Sequence, residues 1–362
     1  MAVDWGASGR RDTYRFYAVD PFSLDEVGEL ECIPDDCSVT YGYYTDNKAQ
    51  ARVKMLESSY NALGRSNLVR IKHCVEIPGG YSEEEVLGTF FIDTAEKEIS
   101  TGFAVRNCNC YSTMWRFSQD ELAADFVIQA GQTRYTRFKA LVTAEGATLI
   151  PGAIDTTATH TTDALFPIGT NRLDAANEYA GWCGWQLGVD DYGRQTLEDY
   201  VAPAARAASY VFEDGVNCTY LPKIRETFTG DVCNRVVAVW STEKADPVLG
   251  NSGRAVADLP SASPFSFERC GRRITRVLQL REPTDPTAVQ KVADDYLAEH
   301  DAAIRYIEIE HVGIPHLRPG MTVYYTNERT GDVNLLCEIT QMNVRALGAL
   351  MLTTSKLKVV AG

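Results

Sequence analysis

The residues able to do acid–base or nucleophilic chemistry are few and far apart. Of the five histidines, His73 and His311 fall at the ends of expected strands, His160 in a Thr-rich stretch and His300 in an expected helix. A catalytic histidine needs a nucleophile and an orienting acid beside it. No Gly-x-Ser-x-Gly elbow is present to supply the nucleophile. Cys108-Asn109-Cys110 offers the best metal ligands, with Cys74 or His73 as further donors. Structural zinc, however, prefers Cys-x-x-Cys pairs. Alternate residues of a strand share a face, so two buried thiols without a metal are the simpler reading. Cys32 and Cys37 bracket a turn where a disulfide is conceivable but disfavoured in a reducing compartment. Asp35-Asp36, Asp190-Asp191 and Asp294-Asp295 are adjacent carboxylates. Glycosidases instead hold two carboxyl groups about 5 to 10 Å apart across a cleft. Gly250-Asn251-Ser252-Gly253-Arg254 lacks the lysine of a phosphate-cradling loop. These residues predict no catalytic site, no metal site and no cofactor. The one basic cluster is Arg272, Arg273, Arg276 and Arg281, interleaved with Ile274, Val277 and Leu280. Such a cluster suits nucleic acid, which the overall charge opposes, or equally a subunit interface with acidic neighbours.

Composition narrows the classes further. The chain has 362 residues, enough for two or three domains. Its net charge of −14 does not attract a nucleic-acid backbone or an anionic membrane. No apolar run reaches the roughly 18 residues of a membrane span, and residues 1–11 carry no signal-peptide core. The scattered cysteines agree with free thiols in a reducing cytoplasm. Tyr and Phe are plentiful, at 18 and 13 residues, and with many Val, Ile and Thr they favour strands.

The elements that must position these residues are mostly β. Strands are predicted over 13–19, 37–44, 50–56, 68–77, 86–94 and 102–114, at the even spacing of a sandwich or small barrel. The character then changes. Helices are expected over 133–145, with Tyr135, Phe138, Leu141 and Val142 inward, and from 172 to 181 with Asn171 as cap. A hairpin over 185–199 completes a small α+β piece. Strand character returns at 235–240, followed by a Pro-, Gly- and Ser-rich loop over 241–266 and a strand over 273–280. Asp285-Pro286 opens a helix whose Val289, Val292, Ala293, Tyr296 and Leu297 lie at helical spacing. Strands over 305–311, 321–326, 333–344 and 349–359 follow, with Pro315 and Pro319-Gly320 turning the chain and a connection at 346–348. This last unit is expected to be a helix packed on an antiparallel sheet. Residues 71–78, IKHCVEIP, also echo residues 309–315, IEHVGIP, which suggests two copies of one fold.

The order "IEHVGIPHLRPG", "MTVYY", "CEIT", "LMLTTSKLKV" after a helix resembles the C-terminal barrel of phage baseplate-hub and tail-tip proteins. "LVRIKHCVEIPGGYSEEEVLGTFFID" and "GDVCNRVVAVW" are similar to segments leading through the first barrel and into the second. The resemblance implies a β-rich α+β fold in which two tail-tube-like barrels flank a small α+β domain. The barrels would be residues 1–120 and 204–362, the latter carrying the helix 286–303, with the small domain at 121–203. It implies a structural virion protein and no enzyme: a hub or adaptor that continues the tail tube as a homotrimeric, pseudo-sixfold ring. The implied partners are a distal tail protein, a tail-tip or fibre protein and the tape-measure protein. The implied location is the virion tail tip, after assembly in the host cytoplasm. DNA would pass through without specific binding, along a lumen expected to be net negative. The alternative is a tail-associated, β-rich receptor- or carbohydrate-binding module, which exposed Trp115, Trp182 and Trp185 would favour.

Overall fold

Alternation of apolar and polar residues builds most of the molecule, because a strand sends successive side chains to opposite faces. The computed structural model describes residues 5, 8–63, 68–100, 102–144, 146–161, 163–213, 225–229, 233–240, 253–280, 286–299, 304–345 and 352–360. Arg281, His300 and the connection at 346–348 lie outside them. The first strands are β1 (Arg11–Val19), β2 (Glu26–Leu30), β3 (Ser38–Gly42), β4 (Ala49–Leu56), β5 (Leu68–Ile77), β6 (Tyr81–Ser100) and β7 (Phe103–Ser112), with a short helix α1 (Glu57–Ala62) between β4 and β5. Near the other end come β13 (Ala208–Glu213), β14 (Arg225–Thr229), β18 (Ile304–Val312), β19 (Thr322–Asn327), β20 (Asp332–Arg345) and β21 (Leu352–Val359).

These two groups form one 13-stranded sheet. In the first group the lateral order is β3-β4-β7-β6-β5-β1, with β2 added at the edge. In the second it is β14-β18-β21-β20-β19-β13. Ranked along the chain, the two orders are the same permutation. Even the bulges correspond: the β6–β7 ladder shifts between Ile92 and Thr94, and the β20–β21 ladder between Ile339 and Gln341. One pairing differs, since β1 runs antiparallel to β5 whereas β13 runs parallel to β19. The echo that suggested a repeat joins the wrong strands. It aligns β5 with β18, while the topology makes β18 the counterpart of β4. The two groups meet where Gln341–Arg345 of β20 pairs antiparallel with β3. One hydrophobic core serves both, with Phe16, Val39, Met55 and Ile71 packed in the same cluster as Phe212, Ile309, Tyr325 and Ile339.

Between the groups, α2 (Trp115–Ser118), β8 (Phe126–Ile128), α3 (Arg134–Thr143), β9 (Leu149–Pro151), β10 (Ala164–Phe166), α4 (Arg172–Trp182), β11 (Trp185–Val189) and β12 (Gln195–Asp199) enclose a second core. Phe138, Leu141 and Val142 of α3 are buried in it, as their spacing predicts. Asn171 caps α4, its Oδ1 accepting from the N–H groups of Leu173 at 3.0 Å and Asp174 at 3.3 Å.

A third core departs from expectation. The strands β15 (Arg235–Trp240), β16 (Gly253–Asp258) and β17 (Thr275–Leu280) make their own three-stranded sheet, with α5 (Phe267–Cys270) in the connection between β16 and β17. The helix α6 (Pro286–Glu299) buries Val289, Ala293 and Leu297 against this sheet and not against the strands that follow it. Its Val292 stays 37% exposed. The strand β16 also falls inside the expected loop over 241–266.

Candidate functional site

The large sheet turns one face to its core and leaves the other polar. In β3, Val39 and Tyr41 point inward while Ser38 and Thr40 do not; in β4, Ala51, Val53 and Met55 point inward while Gln50, Arg52 and Lys54 do not. Register carries this polar row across the strands. Arg52 lies opposite Asn109, Asn109 opposite Thr94, Thr40 opposite Asn343, Asn343 opposite Thr354, and Lys356 opposite Glu308. The face therefore runs without a break from β14 through the β20–β3 seam to β6. Its basic members are Arg52, Lys54, Arg225, Arg345, Lys356 and Lys358, and its acidic members are Glu96, Glu98, Glu308 and Glu310. Acidic and basic strands adjoin in places: Glu308 lies opposite Lys356 and Arg225, and Lys54 Nζ is 3.1 Å from Asp36 and 3.6 Å from Glu98. The chain's excess of acid is not concentrated here.

Buried arginines lock the sheet to the middle unit. Arg318 donates to both Asp191 oxygens at 3.0 and 3.1 Å and to the carbonyls of Pro315 at 2.6 Å and Val86 at 2.8 Å. Arg70 donates to Thr89 at 3.0 Å and to the Tyr192 carbonyl at 3.2 Å, while Thr113 donates to the Gly193 carbonyl at 2.7 Å. The β11–β12 turn is thus held by both halves of the sheet. Arg206 donates to the Gly320 carbonyl at 2.6 Å, to Glu338 at 2.9 Å and to the Tyr43 hydroxyl at 3.0 Å. Glu338 is fully buried and also accepts from the Tyr44 hydroxyl at 2.6 Å. A buried carboxylate persists only when paired in this way. Apart from Arg318 with Pro315, none of these partners was legible in the sequence, because the pairs are far apart along the chain.

The residues first considered for chemistry take structural places. His73 is buried, its Nε2 2.6 Å from Asp12 Oδ1, and Arg10 binds the same carboxylate at 2.7 Å. Burial opposes ionisation of Asp12, but hydrogen bonds from His73 and Arg10 outweigh it and hold its pKa below the ordinary value. Burial pushes the His73 pKa down against the pull of Asp12. His311 donates from Nδ1 to the Val312 carbonyl at 2.7 Å and accepts at Nε2 from Ser355 Oγ at 2.8 Å. Burial lowers its pKa to about 4. Cys108 and Cys110 share the inward face of β7. Burial pushes the Cys108 thiol up to about 11 and Cys37 up to about 12, so both are protonated thiols and poor ligands. Among the described residues, no group of three or more His, Cys, Asp or Glu is arranged to hold a metal.

The arginine cluster is not on the polar face. Arg272, Arg273 and Arg276 are exposed in and beside β17 of the small sheet, and Arg273 lies 3.7 Å from Asp258 and over the Phe267 ring at 4.6 Å. No helix among the described residues is long and apolar enough to cross a membrane.

Solved structures share this fold. The fold is that of phage and prophage tail proteins. The chain superimposes on the tail protein from Neisseria meningitidis MC58 with a TM-score of 0.63 at 13% identity, covering 96% of each chain. It superimposes on the 43 kDa tail protein of prophage MuSo2 from Shewanella oneidensis with a TM-score of 0.61 at 13% identity, covering 96% of this chain and 98% of that one. The E. coli c3393 protein, a type VI secretion component similar to the T4 tail proteins gp27 and gp5, matches with a TM-score of 0.51 at 9% identity over 92% of this chain and 74% of its own. No protein-family model and no curated protein sequence matches the chain.

Proposed function

We propose that this chain is a structural hub of a phage or phage-derived tail. It assembles as a homotrimeric ring that continues the tail tube and joins it to the tip. The observation that carries this reading is the repeated strand order. Two copies of one strand arrangement in a chain let a trimer present six equivalent positions, so it can match a sixfold tube above and a threefold tip below. The partners on this reading are a distal tail protein on one side and a tip or fibre protein on the other, with the tape-measure protein as a further contact. Its location is the tail tip of the virion. The two strand groups correspond to the two barrel domains, and residues 121–203 to the domain between them. The small sheet and α6 form an additional unit inside residues 204–362.

The polar face is the surface such a ring would turn to its channel. Interspersed charges of both signs, spaced by Asn, Thr, Ser and Gln, give phosphates no continuous basic track, so DNA passes without being held. A channel lined by this face is mixed in charge, not the net-negative bore expected from composition. Arg272, Arg273 and Arg276 are assigned to a separate protein contact on the small unit. On this reading the role is structural, and the buried histidines and thiols serve packing. The receptor- or carbohydrate-binding reading is weakened but keeps two half-buried tryptophans, Trp115 and Trp182. Trp185 is buried, Trp182 stacks on Phe166 with centroids 4.8 Å apart, and Trp115 stacks on Tyr111 at 6.1 Å. Mass photometry tests the reading: the expected species is near 120 kDa, three times the 40.0 kDa chain. A monomer at micromolar concentration would contradict it.

A further inference from the structure

The internal repeat leaves one seam made and one unmade. Within the chain, the far half of β20 pairs with β3: Gln341 with Gly42, Asn343 with Thr40, Val344 with Val39 and Arg345 with Ser38. The counterpart of β20 is β6, and the counterpart of β3 is β14. Among the described residues, β5 pairs with β6 only as far as Phe91, so the edge of β6 from Thr94 to Glu98 has no strand beside it. Among the described residues the outer edge of β14 likewise has none, its one partner there being β18. These two edges lie at different places in the same sheet.

We propose that β6 of one chain pairs antiparallel with β14 of a second copy, in the register of the β20–β3 seam. This rests on the ring reading and names its interface. The correspondence of ladders fixes the register. Gln341 matches Thr94 through the two bulges, and Ser38 matches Arg225 because Arg52 and Glu308 occupy the same place in the β4 and β18 ladders. Lys97 then lies opposite Glu226 of the second copy, and Glu98 opposite its Arg225.

The charges support this register. Opposite charges at directly opposed positions stabilise a strand pair, and like charges destabilise it. Both opposed pairs are of opposite sign. Each also continues a chain of alternating charge. On one face, Lys97 bonds Glu57 at 3.2 Å and Glu226 bonds Arg305 at 2.6 Å, so docking gives Glu57, Lys97, Glu226, Arg305 in alternation. On the other face, Lys54 is 3.6 Å from Glu98, and Arg225 stands opposite Glu308. The β6–β7 hairpin also carries Ile99 at 75% exposure and Phe103 at 52%, apolar surface that a neighbouring chain would cover. Open strand edges of this kind are templates for pairing with another chain.

The test uses the full chain with Lys97→Cys and Glu226→Cys together, in a Cys270→Ser background to remove an exposed native thiol. Oxidation is expected to give a covalent trimer on a non-reducing gel. A chain that is trimeric by mass photometry but not cross-linked would overturn the strand pairing and leave the ring standing. A monomer would overturn both. A second measurement avoids added thiols: Glu98→Arg or Arg225→Glu alone is expected to weaken association about tenfold or more, and the two together to restore it to within about threefold. Single reversals without effect would also overturn the pairing.

Discussion

His311 illustrates how a residue that invites a catalytic reading is used for packing. It sits in the core, neutral, with both ring nitrogens occupied, and burial holds its pKa at about 4. In the unfolded chain it titrates near 6.5. Between those values the unfolded state binds a proton that the folded state refuses. Stability is therefore fully present above about pH 6.5 and falls as the pH drops towards 4, by on the order of 3 kcal/mol for this group. His311→Gln should flatten that dependence. Melting temperature followed from pH 7 to pH 4.5 should drop by several degrees more in the wild type than in the variant; an equal drop would contradict the assignment. A sharper loss is expected at the buried Arg206–Glu338 pair. Arg206→Ala strands a carboxylate with no exposed surface and should cost about 3 to 5 kcal/mol by denaturant unfolding, whereas Arg206→Ala with Glu338→Gln should recover part of it. At this scale the sequence was informative only negatively. The scatter of His and Cys offered no catalytic pattern, and Asp12 against His73 or Arg206 against Glu338 are long-range pairs that no local pattern encodes.

At the scale of elements, local pattern was far more legible. β-prone composition located β15 and a strand ended by the Pro78-Gly79-Gly80 turn located β5, both to the residue, and the Asn171 cap and apolar spacing located α4. The misses have physical causes. The strand β16 runs Gly-Arg-Ala-Val-Ala-Asp, whose small side chains give a weak strand signal inside a Pro-, Gly- and Ser-rich stretch. An amphipathic helix reveals that it has an apolar face but not what covers that face, so α6 was assigned to the strands after it and belongs to those before it. The matching strand orders were invisible in sequence too, because a repeat of topology survives after its side chains diverge, and the short echo between β5 and β18 misled. Turn chemistry was the more reliable guide. Gly320, read as a turn residue, has a φ of +91°, and a Cβ there would lie 2.3 Å from the Tyr43 ring. Gly320→Ala should cost about 2 kcal/mol or more in unfolding free energy, from the left-handed backbone and the clash together. A loss under about 0.5 kcal/mol would show that Tyr43 moves away freely.

For the whole molecule, the account turns on symmetry. Among the described residues the sheet leaves β14 and the Thr94–Glu98 stretch of β6 open, and it contains its own β20–β3 seam as an internal precedent for the proposed continuation from copy to copy. On the proposed pairing, closure after three chains would give a ring in which within-chain and between-chain seams alternate, and in which the polar face would circle a single channel. The β-rich character was readable in the sequence, since it follows from strand propensity and turn spacing, while the paired tube-like units came only from the family resemblance. The seam was not, since it depends on which edges remain unpaired after folding. The most direct test is negative-stain or cryo-electron microscopy of the purified full chain, with end-on class averages computed without imposed symmetry. The account predicts rings with a central channel, threefold symmetry and six similar lobes around the bore. Single particles of monomer size, or rings whose lobes show no sixfold approximation, would contradict it.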